Sequence, residues 1–297
     1  VCLLCGGTTT LLYPSNVDEG TPLESREIAC TSPYLSIHDD IFHCRRCRLA
    51  RAVPPVNMDD LGDLYRGVED PQYLASEKER RAEFRRFLDR IEGHDFVECP
   101  GSLLEIGSSA GLFLHEASKR GWDALGIEPS RWAAKNGRQL GLDVFNGVLD
   151  EFDANGRRFD VVASWDVWEH LKDPNAALRR AYDLVKPGGL FIFTTVNMGG
   201  LGARIFRGRW PWFMRMHLHY FTPKSLRALV ERAGFQVLST STVPKILKLR
   251  YVFDRTRQFL GPFARFASWS AARLGLMERS VHVNLGDILL LEARKVL

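Results

Sequence analysis

Between residues 102 and 240, short apolar runs alternate with stretches whose apolar residues recur every three to four positions. That pattern predicts strands alternating with helices. Leu103-Leu104-Glu105-Ile106 reads as a strand, Gly107 to Gly111 as a turn of small residues, and Leu112 to about Arg120 as a helix. Trp122 to Ile127 is a second strand ending in Glu128, and Pro129-Ser130 opens the next helix. Asp143-Val144-Phe145 is a short third strand followed by Gly147-Val148-Leu149-Asp150, and Arg158 to Asp166 is a fourth after the turn at Asn155-Gly156. Asp173 and Pro174 supply N-cap and first-turn chemistry for a helix that stops at Lys186-Pro187-Gly188-Gly189. Leu190 to Thr195 is a fifth strand. Thr222-Pro223 caps a helix ending at Gly234, Phe235 to Thr240 is a further strand, and Ile288 to Ala293 is the last. Strands joined through helices imply an α/β fold, with a mostly parallel sheet covered on both faces.

Ahead of this region the pattern differs. Cys2-Leu3-Leu4-Cys5 and Cys44-Arg45-Arg46-Cys47 are two knuckles with 38 residues between them. Four thiolates from two such turns make a closed tetrahedral zinc site, structural because no coordination position stays open. The alternative is two unliganded or disulfide-forming pairs. His38 and His43 are substitute ligands by type only, and Cys30 and Cys99 read as buried or inert spares. Pro54-Pro55 closes the module, and Leu61 to Ile91 turns helical, with Glu77 to Arg81 as a solvated face. The expected organisation is a zinc-ribbon-like module over 1–55, a helical linker or cap over 56–100, and a main domain over 101–297. Lid segments are expected at about 199–221 and 244–282.

Composition changes this picture little, but charge does. With 45% apolar and 26% charged residues the chain has an ordinary globular makeup. It has no run of about 18 apolar residues for a membrane span, and two Cys-x-x-Cys pairs in a chain this long suggest a reducing compartment, so the expected location is the cytoplasm, with peripheral membrane contact as an option. The net charge of +4 is unevenly placed: residues 200 to 279 hold 15 Lys or Arg against 3 Asp or Glu. A basic third on a mildly acidic body suits an anionic partner.

The candidate chemistry starts at the first turn. A dinucleotide loop reads G-x-G-x-x-G and aims a helix N-terminus at a pyrophosphate. Here the spacing is G-x-x-x-G, with Glu105 just before Gly107, which suits a ligand carrying positive charge better than one carrying phosphates. Glu128 lies 21 residues beyond Gly107 at a strand's end, where an acid is placed to hold a ribose diol.

Glu105-x-Gly107-x-x-x-Gly111, Gly126-x-Glu128-Pro129, Phe159-Asp160-Val161-Val162 and Val185-x-Pro187-Gly188-Gly189 occur in order. Together they resemble the class I S-adenosylmethionine-dependent methyltransferases, in particular the branch with Asp-Val-x-Glu-His after strand four. The resemblance covers about Ser102 to Phe235. It implies a Rossmann-like doubly wound sheet of seven strands, the final one antiparallel. It also implies S-adenosylmethionine as cofactor, with S-adenosylhomocysteine as product. It places the methionine end at Glu105, Gly107, Ser108 and Gly111, the ribose on Glu128, and the adenine against Pro129, Val148 and Leu149. Ser109 stands where the common family loop carries glycine. Asp166, Glu169 and His170, just past strand four, are candidates for the cofactor and acceptor edge. His219, in the His217-to-Phe221 lid, is the candidate base. Trp165 and Trp168 either flank the cation or form an apolar wall.

The expected acceptor is a hydroxyl, or a carbon or amine, of a small molecule, a sugar nucleotide or a lipid-linked glycan. Ribbons joined to this fold resemble enzymes that methylate nucleotide-linked sugars and, more distantly, ribosomal RNA. Nucleic acid is the lesser alternative, since no single-strand stacking motif is recognisable. A non-catalytic cofactor-binding partner protein is another. The basic, aromatic stretches at 201–221 and 245–276 form either a helical cap or a surface for anionic membrane.

Overall fold

Apolar runs that are buried on both faces belong in the middle of a sheet, and here they are. In the computed structural model, residues 1–18, 20–53, 61–250, 252–253, 261 and 267–296 are described. The elements in chain order begin with β1 (Thr9–Tyr13), β2 (Asp40–Cys44), β3 (Ala50–Val53), α1 (Leu61–Arg66), α2 (Pro71–Ala75) and α3 (Glu77–Glu92). There follow β4 (Ser102–Ile106), α4 (Leu112–Lys119), β5 (Asp123–Glu128), α5 (Arg131–Gln139), β6 (Asp143–Asn146), β7 (Phe159–Trp165), α6 (Pro174–Leu184) and β8 (Val185–Val196). The chain ends with α7 (Leu201–Phe206), β9 (His219–Tyr220), α8 (Pro223–Arg232), β10 (Phe235–Thr242), β11 (Lys245–Lys248), β12 (Ser280–Val283) and β13 (Ile288–Lys295).

The main sheet has seven strands in the order β10-β13-β8-β7-β4-β5-β6. The β8-β7-β4-β5-β6 pairs are parallel, and β13 runs antiparallel between β8 and β10. This is the Rossmann-like sheet that the resemblance implied. Side-chain alternation splits its core into two layers. Leu104, Val162, Phe191 and Phe193 face Leu178 of α6 and Leu226 and Leu229 of α8. Leu103, Val161, Leu190 and Ile192 face Phe84, Phe87 and Ile91 of α3, Phe113 of α4 and Ala134 of α5. The C-terminal ends of β4, β5 and β7 therefore open on one covered edge, where parallel sheets bind ligands.

Four expectations change. The Lys186-Pro187-Gly188-Gly189 stop lies inside β8, which begins at Val185. Phe159 pairs with Val185 and Val161 with Leu190, so residues 186–189 bulge from the ladder. Pro187 has no N–H to give, and Gly188 takes the left-handed backbone the bulge needs, at φ 79°. The helical stretch from Leu61 divides into α1, α2 and α3, because Asp70 and Pro71 restart the chain: the Asp70 carboxylate accepts from Tyr73 N. The face at 77–81 is not wholly solvated. Glu79 is buried, Arg80 lies over the Tyr73 ring, and Arg81 bridges Glu77 and Glu116. Finally, the N-terminal strands do not stand apart. Their sheet runs β1-β2-β3-β9, so a strand from the main domain completes it.

Of the two expected lids, the second holds β11 and most of β12, which pair antiparallel. Its helical expectation at Tyr251, Arg257, Phe259, Phe263, Arg265 and Phe266, like Pro54-Pro55, lies outside the described residues. Among the described residues no helix is long and apolar enough to cross a membrane.

Candidate functional site

The turn after β4 is held in a narrow conformation. Gly107, Ser109 and Gly111 all have positive φ, at 76°, 47° and 78°. The N–H groups of Gly107 and Ser108 donate to the Ile127 carbonyl at 2.8 and 3.0 Å, tying the turn to the end of β5. A Cβ on Gly107 would come within 2.5 Å of Val167 Cγ2. Ser109 thus occupies, without a glycine, the left-handed backbone where glycine is the easy choice.

Two buried acids meet at this turn. Glu128 accepts from Ser109 N at 2.7 Å on one oxygen and from Ser130 N at 2.8 Å on the other. Burial still raises it to about 7 against those bonds. Glu105 is buried, and its carboxyl is pushed well above the usual range by burial and then by Glu128. Glu105 Oε2 and Ser108 Oγ are buried without a hydrogen-bond partner. Unpaired acceptors of this kind cost about 1–3 kcal/mol each, so they mark a place where a polar, cationic ligand belongs. The ammonium and ribose hydroxyls of S-adenosylmethionine match this donor–acceptor set, and the residues present fit that cofactor. Asn146 Nδ2 donates to the Glu128 and Pro129 carbonyls, fixing Pro129 beside the half-buried Val148 and buried Leu149.

Past β7 the backbone is strained at Asp166, with φ 55°. Thr194 Oγ1 donates to Asp166 Oδ1 at 2.8 Å, and Lys245 Nζ, from β11, donates to Oδ2 at 2.7 Å. Burial opposes the Asp166 charge, but Lys245 holds its carboxyl below the ordinary value. Glu169 and His170 follow, and one ring nitrogen each of His170 and His217 lies with a Glu169 carboxylate oxygen inside 4.8 Å. Glu169 Oε2 accepts from Thr195 Oγ1 at 2.8 Å, while Oε1 is buried and unpaired. Burial, and then Asp166, raise Glu169 to about 8. Burial lowers His170 to about 4, and burial together with His170 lowers His217 to about 3.

His219, the expected base, is not in this cluster. Its ring is fully buried, with Arg51 as its nearest cationic influence, and burial lowers it to about 4. The backbone explains the exchange. His217 N donates to Met214 O in a turn, and β9 begins only at His219, so the two rings do not share a strand face. Trp165 stacks on Phe87 at 4.3 Å, and Trp168 packs on Phe191 and Phe193, so both form apolar wall. Two residues that no motif singled out lie in the segment expected as a helical linker or cap. Tyr65 reaches His170 Nδ1 at 3.0 Å, and Tyr73 is buried against the Ser109 turn. Cys30 is exposed rather than buried.

In the N-terminal sheet the four knuckle sulfurs lie within 4.8 Å of one another, Cys2 to Cys47 at 3.4 Å and Cys5 to Cys44 at 3.5 Å. A zinc–sulfur length of about 2.3 Å sets tetrahedral ligand sulfurs about 3.8 Å apart. A Cβ on Gly7 would sit 3.2 and 3.3 Å from Cys5 and Cys44 Sγ, and Gly6 and Arg48, each just after a knuckle, take left-handed backbone. The residues fit the metal.

A seven-stranded Rossmann-like sheet with paired acids at the ends of its first two parallel strands defines a nucleoside-cofactor protein. The chain belongs to the methyltransferase domain family, whose model matches residues 76–240, more than half of its length. It is similar to "Ubiquinone biosynthesis O-methyltransferase" of Methylobacterium nodulans, 32% identical over 155 residues, covering 48% of this chain and 62% of that one. The protein of the same description from Cereibacter sphaeroides is 32% identical over 145 residues, covering 44% and 59%. The chain thus spans about three fifths of the length of these curated relatives. A solved S-adenosylmethionine-dependent methyltransferase from Archaeoglobus fulgidus shares the fold at 18% identity, with TM-score 0.52, covering 76% of this chain and all of that one.

Proposed function

We propose that the protein is an S-adenosylmethionine-dependent methyltransferase acting on a hydroxyl of a small-molecule acceptor. The observation that carries this reading is the pair of buried acids Glu105 and Glu128 at the glycine turn, with Glu105 Oε2 and Ser108 Oγ left without a partner. Glu105 and the Gly107–Gly111 turn would hold the methionine end, Glu128 the ribose, and Pro129, Val148 and Leu149 the adenine. The bound cofactor supplies a sulfonium methyl group. The protein's part is alignment and exclusion of water: α1 and α2 cover the site, and the buried Tyr73 wall keeps it dry. The Glu169, His170 and His217 cluster is the polar centre for the acceptor, in place of His219. Methyl transfer to a hydroxyl also agrees with the similarity to ubiquinone biosynthesis O-methyltransferases.

The test is direct. Calorimetry should show S-adenosylmethionine binding, and labelled methyl transfer should be seen to one member of a panel of phenols, sugar nucleotides and lipid-linked glycans. Absence of cofactor binding by folded protein refutes the reading. We further assign a structural zinc to Cys2, Cys5, Cys44 and Cys47, within an N-terminal ribbon module of about residues 1–55. A helical segment over 56–100 and the catalytic domain over 101–297 follow it. Contact with an anionic lipid surface is supported by exposed Leu11, Leu12 and Ile205 near a cavity of about 460 Å³ lined by Tyr13, Arg204 and Arg207. Binding to anionic but not neutral vesicles tests it.

A further inference from the structure

The Glu169–His170–His217 cluster has more structure than a polar pocket for a hydroxyl requires. His217 Nδ1 lies 2.8 Å from the Trp212 carbonyl, and His170 Nδ1 lies 3.0 Å from the Met216 carbonyl. A carbonyl oxygen only accepts, so Nδ1 carries the proton in both rings and each Nε2 keeps its lone pair. Glu169 is anchored in the same way: Thr195 holds Oε2, and Oε1 is left buried and unpaired. Three side chains from two segments, the loop after β7 and the turn before β9, thus bring one ligand atom each within 4.8 Å of one another, and each side chain is held by an outer partner. Metal-binding histidines and carboxylates are oriented in this manner, through a hydrogen bond from the atom that does not ligate.

We propose that Glu169, His170 and His217 form a second metal site, which binds one divalent cation of the zinc, cobalt or manganese class. Two imidazole nitrogens and one carboxylate oxygen suit such borderline ions and leave coordination positions open, unlike the four-thiolate set of the ribbon. The inference rests on the reading of this edge as the acceptor site. There the ion would offer its open positions to the acceptor's oxygen atoms. It would also supply the positive charge that the buried cluster lacks, since the nearby Lys245 ammonium is already bonded to Asp166 at 2.7 Å. The Tyr65 hydroxyl, 3.0 Å from His170 Nδ1, would close the outer ring of partners.

Cobalt(II) titration of zinc-loaded full-length protein, without cofactor or acceptor, tests the site. The expected result is one added equivalent with a weak d–d band and no new intense sulfur-to-cobalt band. Replacing a ligand should cost at least as much as losing an outer partner, so His217→Gln and His170→Gln should each weaken binding roughly tenfold or more. His219→Gln, outside the cluster, should leave the band unchanged. X-ray absorption on cobalt-loaded wild type gives an answer independent of how the variants fold, because histidine and oxygen scattering must replace sulfur scattering. Failure of folded wild type to take up cobalt overturns the proposal, as does a band retained in both glutamine variants. Cobalt binding without methyl transfer would refute the proposed function and leave this site standing. Methyl transfer without cobalt binding would do the reverse.

Discussion

Glu128→Gln is the sharpest test of the cofactor site. In the native protein each carboxylate oxygen accepts one backbone N–H, from Ser109 and from Ser130, at 2.7 and 2.8 Å. Glutamine keeps one acceptor oxygen and turns an NH2 toward the other N–H. The variant therefore loses a charge-assisted bond of about 1.5–3 kcal/mol and orphans a buried donor. If the same carboxylate receives the ribose hydroxyls, the cofactor loses a comparable bond, which is about 10- to 100-fold in affinity at about 1.4 kcal/mol per decade. The pH dependence follows from the raised pKa. Burial puts Glu128 at about 7, so the acid is neutral below that value and ionised above it. A ribose diol donates to the ionised form, so affinity should fall by up to about tenfold per pH unit below 7. The apo fold follows the opposite sign: a raised acid favours folding below its ordinary 4.5 and loses that contribution as pH rises through about 7. Calorimetry with S-adenosylhomocysteine, from acid to mildly alkaline pH, reads both effects. A Glu128→Gln protein with native affinity and the native pH profile would refute the assignment of Glu128.

Three other outcomes are expected. Lys245→Met should destabilise the fold by about 1–3 kcal/mol, because Asp166 keeps a partly buried charge without its partner, and the Asp166→Asn/Lys245→Met double variant should lose less than the sum, as read by denaturant melts. Glu292 is depressed to about 2, with burial opposing and Arg90 and Ser239 prevailing, so its stabilisation should be full above its ordinary 4.5 and vanish as pH falls toward 2. Arg90 is 40% exposed, which discounts the gain to about 2 kcal/mol; Glu292→Gln should lower the midpoint at neutral pH and converge with wild type in acid. Stripping metal from the ribbon with a strong chelator, or Cys44→Ser, should lower the melting temperature and raise the acceptor KM while cofactor affinity stays near native.

The frame of the sheet was readable because its strands are buried on both faces and its helices carry cap chemistry at Asp173, Pro174 and Thr222. Glu105 and Glu128 stand out in the sequence by position, one just before the glycine turn and the other 21 residues beyond Gly107 at a strand's end; their burial and the two N–H bonds to Glu128 appear only in the fold. The histidine that lies beside Glu169 and His170 was not readable. His217 and His219 are two apart, and only the turn from Met214 to His217 decides which ring enters the cluster. Lys245 was out of reach as well, since its partner Asp166 lies 79 positions away and nothing in its local pattern marks it. Tyr65 belongs to a segment that carries no family motif, so only its contact with His170 reveals its place.

The expected split between cofactor and acceptor effects of metal loss comes from the way the ribbon is joined to the main domain. β3 pairs with β9 through Ala50 with Tyr220 and Arg51 with His219, and Ala52 N donates to Leu218 O at 3.0 Å. On the opposite edge, the N–H groups of Leu218 and His219 donate to the Glu169 carbonyl at 2.7 and 3.0 Å. β3, β9 and the loop that carries Glu169 are therefore one continuous run of hydrogen bonds, and β2, which ends at the knuckle residue Cys44, is the strand that holds β3 in place. Glu105, Glu128 and the turn between them are tied to β4 and β5 and share no backbone bond with that ladder. A ribbon without metal loosens β3 first, then the segment that carries His217, and reaches the cofactor acids last. On the proposed reading, the knuckles would act on the reaction through the geometry of Glu169 and His217, at a site where they donate no atom.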